Sequence, residues 1–123
     1  MSMRVLVVDD ERAIADSLAR ILLSYGYESR AVYSGRDAMC GAAEFRPQVL
    51  ITDIVMPGMN GVELAEWFTA EQPDCRVMMT SANLLHFEPA DLEFPHSDRV
   101  VFLAKPVRIP DLIEFLAKGE VAR

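Results

Sequence analysis

Several features that mark other classes of protein are missing from this sequence. Its apolar runs are broken within a few residues by charge or proline, and none approaches the roughly 20 residues that a membrane-spanning helix needs. No signal peptide or membrane anchor is visible. Repeats, low-complexity tracts and linkers are also missing. We therefore expect a protein that does not associate with a membrane.

Basic residues and cysteines are both scarce. Twelve Lys and Arg residues face nineteen Asp and Glu residues, and the net charge of −7 opposes binding to the phosphate backbone of nucleic acid. No local basic patch offsets this charge, so we expect no direct nucleic-acid contact. The two cysteines, Cys40 and Cys75, lack the spacing of metal ligands. We expect buried thiols rather than a disulfide, which is typical of the cytoplasm.

The length and composition are those of one ordinary globular domain. The 123 residues are 51% hydrophobic and 25% charged, which is enough to bury a core. A chain of this length leaves little room for a second domain. We therefore treat residues 1–123 as a single domain.

Strand and helix patterns alternate along the chain. Apolar runs predict five strands, at residues 4–8, 28–34, 48–52, 75–81 and 99–104. Helical spacing of apolar residues, or a run of small residues, predicts helices at 14–25, 35–45 and 109–116. After a turn at 57–61, the spacing of Leu64, Trp67 and Phe68 predicts a further helix that ends before Pro73. Between residues 83 and 98, Pro89 and Pro95 interrupt any regular helix, so we predict at most a short, irregular and mobile one.

This alternation predicts a doubly wound α/β fold with a parallel sheet covered on both faces. We expect the flavodoxin-like (βα)5 arrangement with strand order 2-1-3-4-5 and a degraded fourth helix. In such sheets ligands bind beyond the carboxyl ends of the strands, where strands 1 and 3 are neighbours. The fold thus predicts which edge of the sheet carries the functional residues.

Acidic side chains follow both of these neighbouring strands. Asp9 and Asp10 come after strand 1, and Asp53 comes after strand 3. Converging carboxylates repel one another, so the cluster is stable only when protons or a bound cation reduce its charge. Mg²⁺ favours one or two carboxylates, water and a phosphate oxygen. With Lys105 after strand 5, the formal charges of the aspartates, Mg²⁺ and lysine cancel, and the site could accept a phosphoryl group.

Each of these residues also has an ordinary structural interpretation. Asp9 or Asp10 could cap the first helix, and Asp53 could form the turn before Pro57. Lys105 could be a surface charge. Ser81, at the end of strand 4, could be a simple loop residue. All of them fall at the same edge of the predicted sheet, however, and this shared position favours a functional site.

Four motifs together resemble the receiver domains of two-component response regulators, and they span nearly the whole chain. They are "VLVVDDE", "LITDIVMPGMNG", "VMMTSA" and "FLAKP". The resemblance implies that Asp53 is the phosphorylated aspartate. Asp10, Asp53 and the backbone carbonyl of Val55 would bind Mg²⁺, with Asp9 acting on the metal directly or through water. Lys105 would pair with the phosphoryl group.

The same resemblance implies a switch. Ser81 would hydrogen-bond the phosphoryl group; Thr80 is the competing hydroxyl, but alignment on Ala82 favours Ser81. Phe102 matches an aromatic switch position, although a core phenylalanine fits its spacing equally well. We also predict that the peptide bond between Lys105 and Pro106 is cis, which would turn the chain sharply while directing the lysine toward the site.

The implied function is a phosphoacceptor signalling module of the chemotaxis-regulator type, not an enzyme. Its partners would be a sensor histidine kinase or a histidine phosphotransfer protein, and a downstream protein or output domain. A hydrolase of the aspartyl-phosphate type would need an aspartate two residues after Asp53, where Val55 stands. A pseudo-receiver used only for docking is disfavoured by the intact set of site residues. His86 and His96 are interpreted as surface loop residues.

Overall fold

The computed structural model describes residues 2–82 and 99–121, which contain one five-stranded sheet. Every neighbouring pair of strands is parallel, and their order is 2-1-3-4-5, as the sequence predicts. The strands are β1 Arg4–Val8, β2 Glu28–Val32, β3 Val49–Asp53, β4 Arg76–Ser81 and β5 Val100–Ala104. The helices in these ranges are α1 Arg12–Ser24, α2 Gly35–Phe45, α3 Gly61–Glu71 and α4 Ile109–Val121.

The sheet separates two apolar clusters, one on each face. On one face, α1 and α4 pack through side chains such as Leu22 and Leu116, against Val7 of β1. On the other face, α2 and α3 pack through Ala38 and Phe68, among others. Burial of the central strands on both faces explains why β1, β3 and β4 are almost continuously apolar in sequence.

The helices begin in different ways. The Ser34 hydroxyl accepts the N–H of Asp37 at the start of α2 (3.1 Å). At the start of α3, Asn60 and Glu63 form a reciprocal capping box. The first residue before α1, Glu11, makes no side-chain capping bond. The beginning of α1 is therefore fixed by other contacts.

One local prediction is confirmed and one is partly wrong. The bond between Lys105 and Pro106 is cis, as predicted. Both cysteines are free, but only Cys75 is buried and Cys40 is exposed. Ala38 and Ala42 lie on the buried face of α2, and Cys40, midway between them, faces the opposite side of the helix.

The predicted irregular, mobile helix between residues 83 and 98, with Pro89, Pro95, His86 and His96, lies outside the described residues. Within residues 2–82 and 99–121, no helix is both long enough and apolar enough to cross a bilayer.

Candidate functional site

The centre of the site is a lysine that binds two aspartates. The ammonium nitrogen of Lys105 lies 2.8 Å from Oδ2 of Asp9 and 3.1 Å from Oδ2 of Asp53. Side-chain exposures are 16% for the lysine, 5% for Asp9 and 13% for Asp53. Water therefore screens these contacts much less than it would screen a surface ion pair. The structure brings together groups that are 96 and 52 residues apart in sequence.

Asp10 completes the acidic cluster. Carboxylate oxygens of Asp9, Asp10 and Asp53 all lie within 4.8 Å of one another, and Asp10 is the exposed member. Oxygen donors at this spacing suit a hard divalent cation, and Mg²⁺ commonly uses one or two carboxylates with water completing its shell. The donor set thus fits Mg²⁺, and exposed Asp10 leaves the site open to solvent.

Main-chain hydrogen bonds place these side chains at one edge. The N–H of Asp9 donates to the carbonyl of Val32 at 3.2 Å, which joins the end of β1 to the end of β2. The N–H of Lys105 donates to the carbonyl of Ser81 at 2.8 Å and continues the pairing of β4 with β5. The parallel ladder therefore aligns the carboxyl ends of strands that are distant in sequence.

The hydrogen bonds of the aspartates distinguish a role in the site from a role as a helix cap. Asp9 is buried, and its Oδ1 accepts the N–H of Glu11 at 3.0 Å while its Oδ2 is bound by Lys105. Neither Asp9 nor Asp10 makes a side-chain cap on α1. Each Asp9 oxygen therefore already accepts one hydrogen bond.

Two opposing effects act on the pKa of Lys105. Burial lowers the pKa of the ammonium group, but the hydrogen bonds to Asp9 and Asp53 and their negative charges raise it more, so the pKa lies above its ordinary value of 10.5. Lys105 is therefore a fixed positive charge at neutral pH. A lysine in this state can hold an anion.

Gly61 is a site residue that the sequence analysis did not single out. A Cβ atom at this position would lie 2.2 Å from the carbonyl oxygen of Asp53, because the first turn of α3 approaches the end of β3 closely. The N–H of Gly61 also donates to the carbonyl of Ile54 at 2.8 Å. The "NG" pair before the helix was read only as a turn, and the tight contact with β3 is tertiary.

The remaining predicted residues lie in β4, in β5 and in the loop after β3. Ser81 is buried at the last position of β4, and the neighbouring Thr80 hydroxyl contacts the carbonyl of Thr52 at 3.5 Å. Val55 is 74% exposed in the loop after Asp53. Phe102 is half-buried and packs against the cluster beside α2 and α3. The roles of Ser81, Phe102 and the Val55 carbonyl stay predictions.

With this geometry established, the chain was compared with known proteins. Residues 5–117 match the family model described as response regulator receiver domain. The response regulator MprA of Mycobacterium bovis is 32% identical over 114 residues, which are 92% of this chain and 48% of that protein. The chain therefore spans about half the length of this relative.

Solved structures show the same fold over nearly the whole chain. A CheY-like receiver domain protein from Methanospirillum hungatei is 25% identical, with a TM-score of 0.85 and 100% of both chains covered. TrrA from Thermotoga maritima, solved with Mg²⁺ and BeF, is 26% identical, with a TM-score of 0.81 over 95% of this chain and 98% of that one. TrrA is also known in complex with the histidine kinase ThkA, with 26% identity, a TM-score of 0.80, and 95% of this chain and 97% of TrrA covered.

Proposed function

The chain belongs to the response regulator receiver domain family, and on that premise we propose that Asp53 accepts a phosphoryl group from a phosphohistidine. The observation that supports this assignment most strongly is the bridge from Lys105 to Asp53 and Asp9, next to Asp10. Asp53 is partly exposed, so a donor can reach it. The function is that of a phosphoacceptor signalling module rather than an enzyme acting on a separate substrate.

The proposed transfer is a simple exchange of bonds at phosphorus. One carboxylate oxygen of Asp53 forms a bond to phosphorus while the phosphorus–nitrogen bond of the donor phosphohistidine breaks. The electron pair of the broken bond stays on the imidazole nitrogen. Such a transfer depends mainly on positioning and on neutralising charge. Lys105 supplies a positive charge 3.1 Å from Asp53, where the oxygens of the incoming group would gather.

Mg²⁺ fits the acidic cluster and would be held by Asp10, Asp53 and the carbonyl of Val55. When bound, Mg²⁺ would neutralise negative charge on the phosphoryl oxygens and the aspartates. Asp9 acts from further inside, since its oxygens are already engaged by Lys105 and by the N–H of Glu11. We therefore assign Asp9 the role of orienting Lys105, with any contact to the metal made through water.

Signalling would follow from the new charge on Asp53. The buried hydroxyl of Ser81 would hydrogen-bond the phosphoryl group, and Phe102 would move toward the space that the hydroxyl leaves. Ser81 ends β4 and Phe102 lies in β5, so both changes affect one surface. A downstream protein or output domain would read that surface.

The donor would be a sensor histidine kinase or a histidine phosphotransfer protein. The complex of TrrA with the kinase ThkA supports this choice of partner. An apolar groove next to the site offers a place for it. Ala13, Ile14 and Leu18 of α1 line one wall, and Pro106 and Val107 line the other, beside Lys105. A helix carrying the phosphohistidine could rest there and reach Asp53.

Incubation with acetyl phosphate and Mg²⁺ tests the assignment directly. We expect intact-protein mass spectrometry to show one added phosphoryl group, and removal of Mg²⁺ with EDTA to suppress it. Asp53→Asn should show no adduct, because the amide cannot form the acyl phosphate. Asp74→Asn, which changes an exposed aspartate before β4, is the matched control and should be labelled normally. Persistence of the adduct in Asp53→Asn would refute the assignment.

A further inference from the structure

The beginning of α1 is attached to the end of β2 by one aromatic residue. The guanidinium carbon of Arg12 lies 4.2 Å from the centre of the Tyr33 ring. The Tyr33 hydroxyl donates to Oδ1 of Asp16 at 2.5 Å. Arg12 and Asp16 are four residues apart, so they lie on the same face of α1 and hold Tyr33 between them. We call these three residues the α1 clamp.

The clamp lies where α1 has no side-chain cap. Glu11 precedes the helix and its side chain accepts no capping hydrogen bond. The first turn of α1 is instead closed by the carbonyl of Glu11, which accepts the N–H groups of Ile14 and Ala15 at 3.0 and 3.1 Å. An uncapped first turn frays readily unless other contacts hold it. The α1 clamp supplies such contacts from β2.

Of the three carboxylates in the site, Asp10 is held least directly. Asp9 and Asp53 both accept hydrogen bonds from Lys105. Within the described residues, no hydrogen bond or ion pair to the Asp10 carboxylate is seen, and the residue is exposed. Its position therefore depends on the backbone between β1 and the first turn of α1.

From this arrangement we propose that Tyr33 is a positioning residue for cation binding: by holding the first turn of α1, it keeps Asp10 near Asp9 and Asp53. The inference rests on the proposed function, since it concerns the same cation site. Tyr33 is not a member of the acidic cluster, and its proposed effect comes through its contacts with α1. Hydrogen bonding to Asp16 raises the pKa of Tyr33 above its ordinary value of 10.0, so the hydroxyl stays a donor at neutral pH.

The test varies Tyr33 rather than Arg12, because removing a positive charge beside the acidic cluster would itself favour cation binding. Mn²⁺ is the probe, and free Mn²⁺ is measured by electron paramagnetic resonance. We expect Tyr33→Leu to weaken Mn²⁺ binding about two- to fivefold, the size expected for losing one exposed cation–π contact. Amide hydrogen exchange of Ile14 and Ala15, measured without metal, should become faster in the same variant.

The matched control is Tyr25→Leu, the same substitution at an exposed tyrosine just beyond the other end of α1. This control should bind Mn²⁺ like the wild type. Equal weakening in both variants would overturn the proposal, because it would show a general loss of stability. Wild-type affinity in folded Tyr33→Leu would also overturn it.

A second variant keeps the proposal testable if Tyr33→Leu does not fold. Tyr33→Phe retains the ring under Arg12 and loses only the hydrogen bond to Asp16. We expect a smaller weakening and faster exchange at Ile14, and wild-type values for both would overturn the proposal. A wild-type protein that binds no Mn²⁺ would contradict the proposed cation site itself, so the two failures are distinguishable.

Discussion

The two edges of the sheet use charged side chains in opposite ways. At the amino edge, where the strands begin, two arginines donate to main-chain carbonyls. Arg4 donates to the carbonyl of Arg46, and Arg76 donates to the carbonyls of Phe115 and Leu116. At the carboxyl edge, where the strands end, Lys105 pairs with the carboxylates of Asp9 and Asp53. The amino edge thus joins elements of the fold, whereas the carboxyl edge concentrates negative charge.

This difference separates stability from function within one small domain. The arginine hydrogen bonds at the amino edge join parts of the same folded chain. The carboxyl edge has more negative than positive charge, so its electrostatic balance improves when a cation binds. We therefore expect substitutions at the two edges to affect different measurements.

The largest effect is expected for Lys105→Met. This variant removes the positive charge that would meet the phosphoryl oxygens, and loss of one such group typically slows a reaction by about 10²-fold or more. The rate of labelling by acetyl phosphate, followed by intact mass, measures it. Lys118→Met is the control, because that lysine is exposed on α4 and pairs with exposed Glu114. A Lys105→Met rate equal to that of the control would contradict the proposed role.

Gly61→Ala should displace the backbone at the carboxyl edge. The added methyl group would meet the carbonyl of Asp53 at 2.2 Å, and the strand or α3 must shift to relieve the contact. We expect the free energy of unfolding to fall by about 2–3 kcal/mol, the upper part of the range for overpacking. Urea denaturation measures the change, and phosphorylation should slow because Asp53 moves.

Gly41→Ala is the matched control for this glycine. It lies within α2, and a Cβ there would meet nothing within 4 Å. Alanine is the better helix former, so this substitution should raise the free energy of unfolding by about 0.5–1 kcal/mol. Equal free energies of unfolding for Gly61→Ala and Gly41→Ala would contradict the close approach of α3 to β3.

A smaller effect is expected for Arg76→Met at the amino edge. The Arg76 guanidinium donates to two carbonyls of α4, at 2.9 and 3.3 Å, and lies 4.5 Å from the centre of the Phe115 ring. Because the side chain is partly exposed, we expect the free energy of unfolding to fall by about 1.5 kcal/mol. This is the low end of the contribution of hydrogen bonds from a charged group. The rate of labelling by acetyl phosphate should not change. A slower rate with unchanged stability would contradict the division between the two edges.

Much of the fold was predictable because its signals are local. Continuous apolar runs marked β1, β3 and β4, since strands buried on both faces show no alternation. A run of small residues marked α2 with the bounds that the structure shows, whereas the cap by Ser34 was not predicted. The strand order followed from the alternation of elements together with one common topology.

The failures and gaps arise where a contact depends on distant partners. Whether Cys40 is exposed depends on which face of α2 packs against the sheet. The sequence does not decide this, because both faces of α2 carry small residues. The α1 clamp joins Tyr33 to residues 17 and more positions earlier, with no motif to mark it. Gly61 was read as part of a turn, because its close approach to β3 is not encoded in neighbouring residues.

The sequence by itself determined the elements, the identity of the charged residues and the edge at which they lie, because parallel strands bring their carboxyl ends to the same side. Only the tertiary structure decided how those charges pair. Lys105 contacts both Asp9 and Asp53, while Asp10 stays exposed. Pairing depends on distances of about 3 Å between side chains that lie far apart in the chain, and such distances are set by packing of the whole sheet rather than by any local pattern.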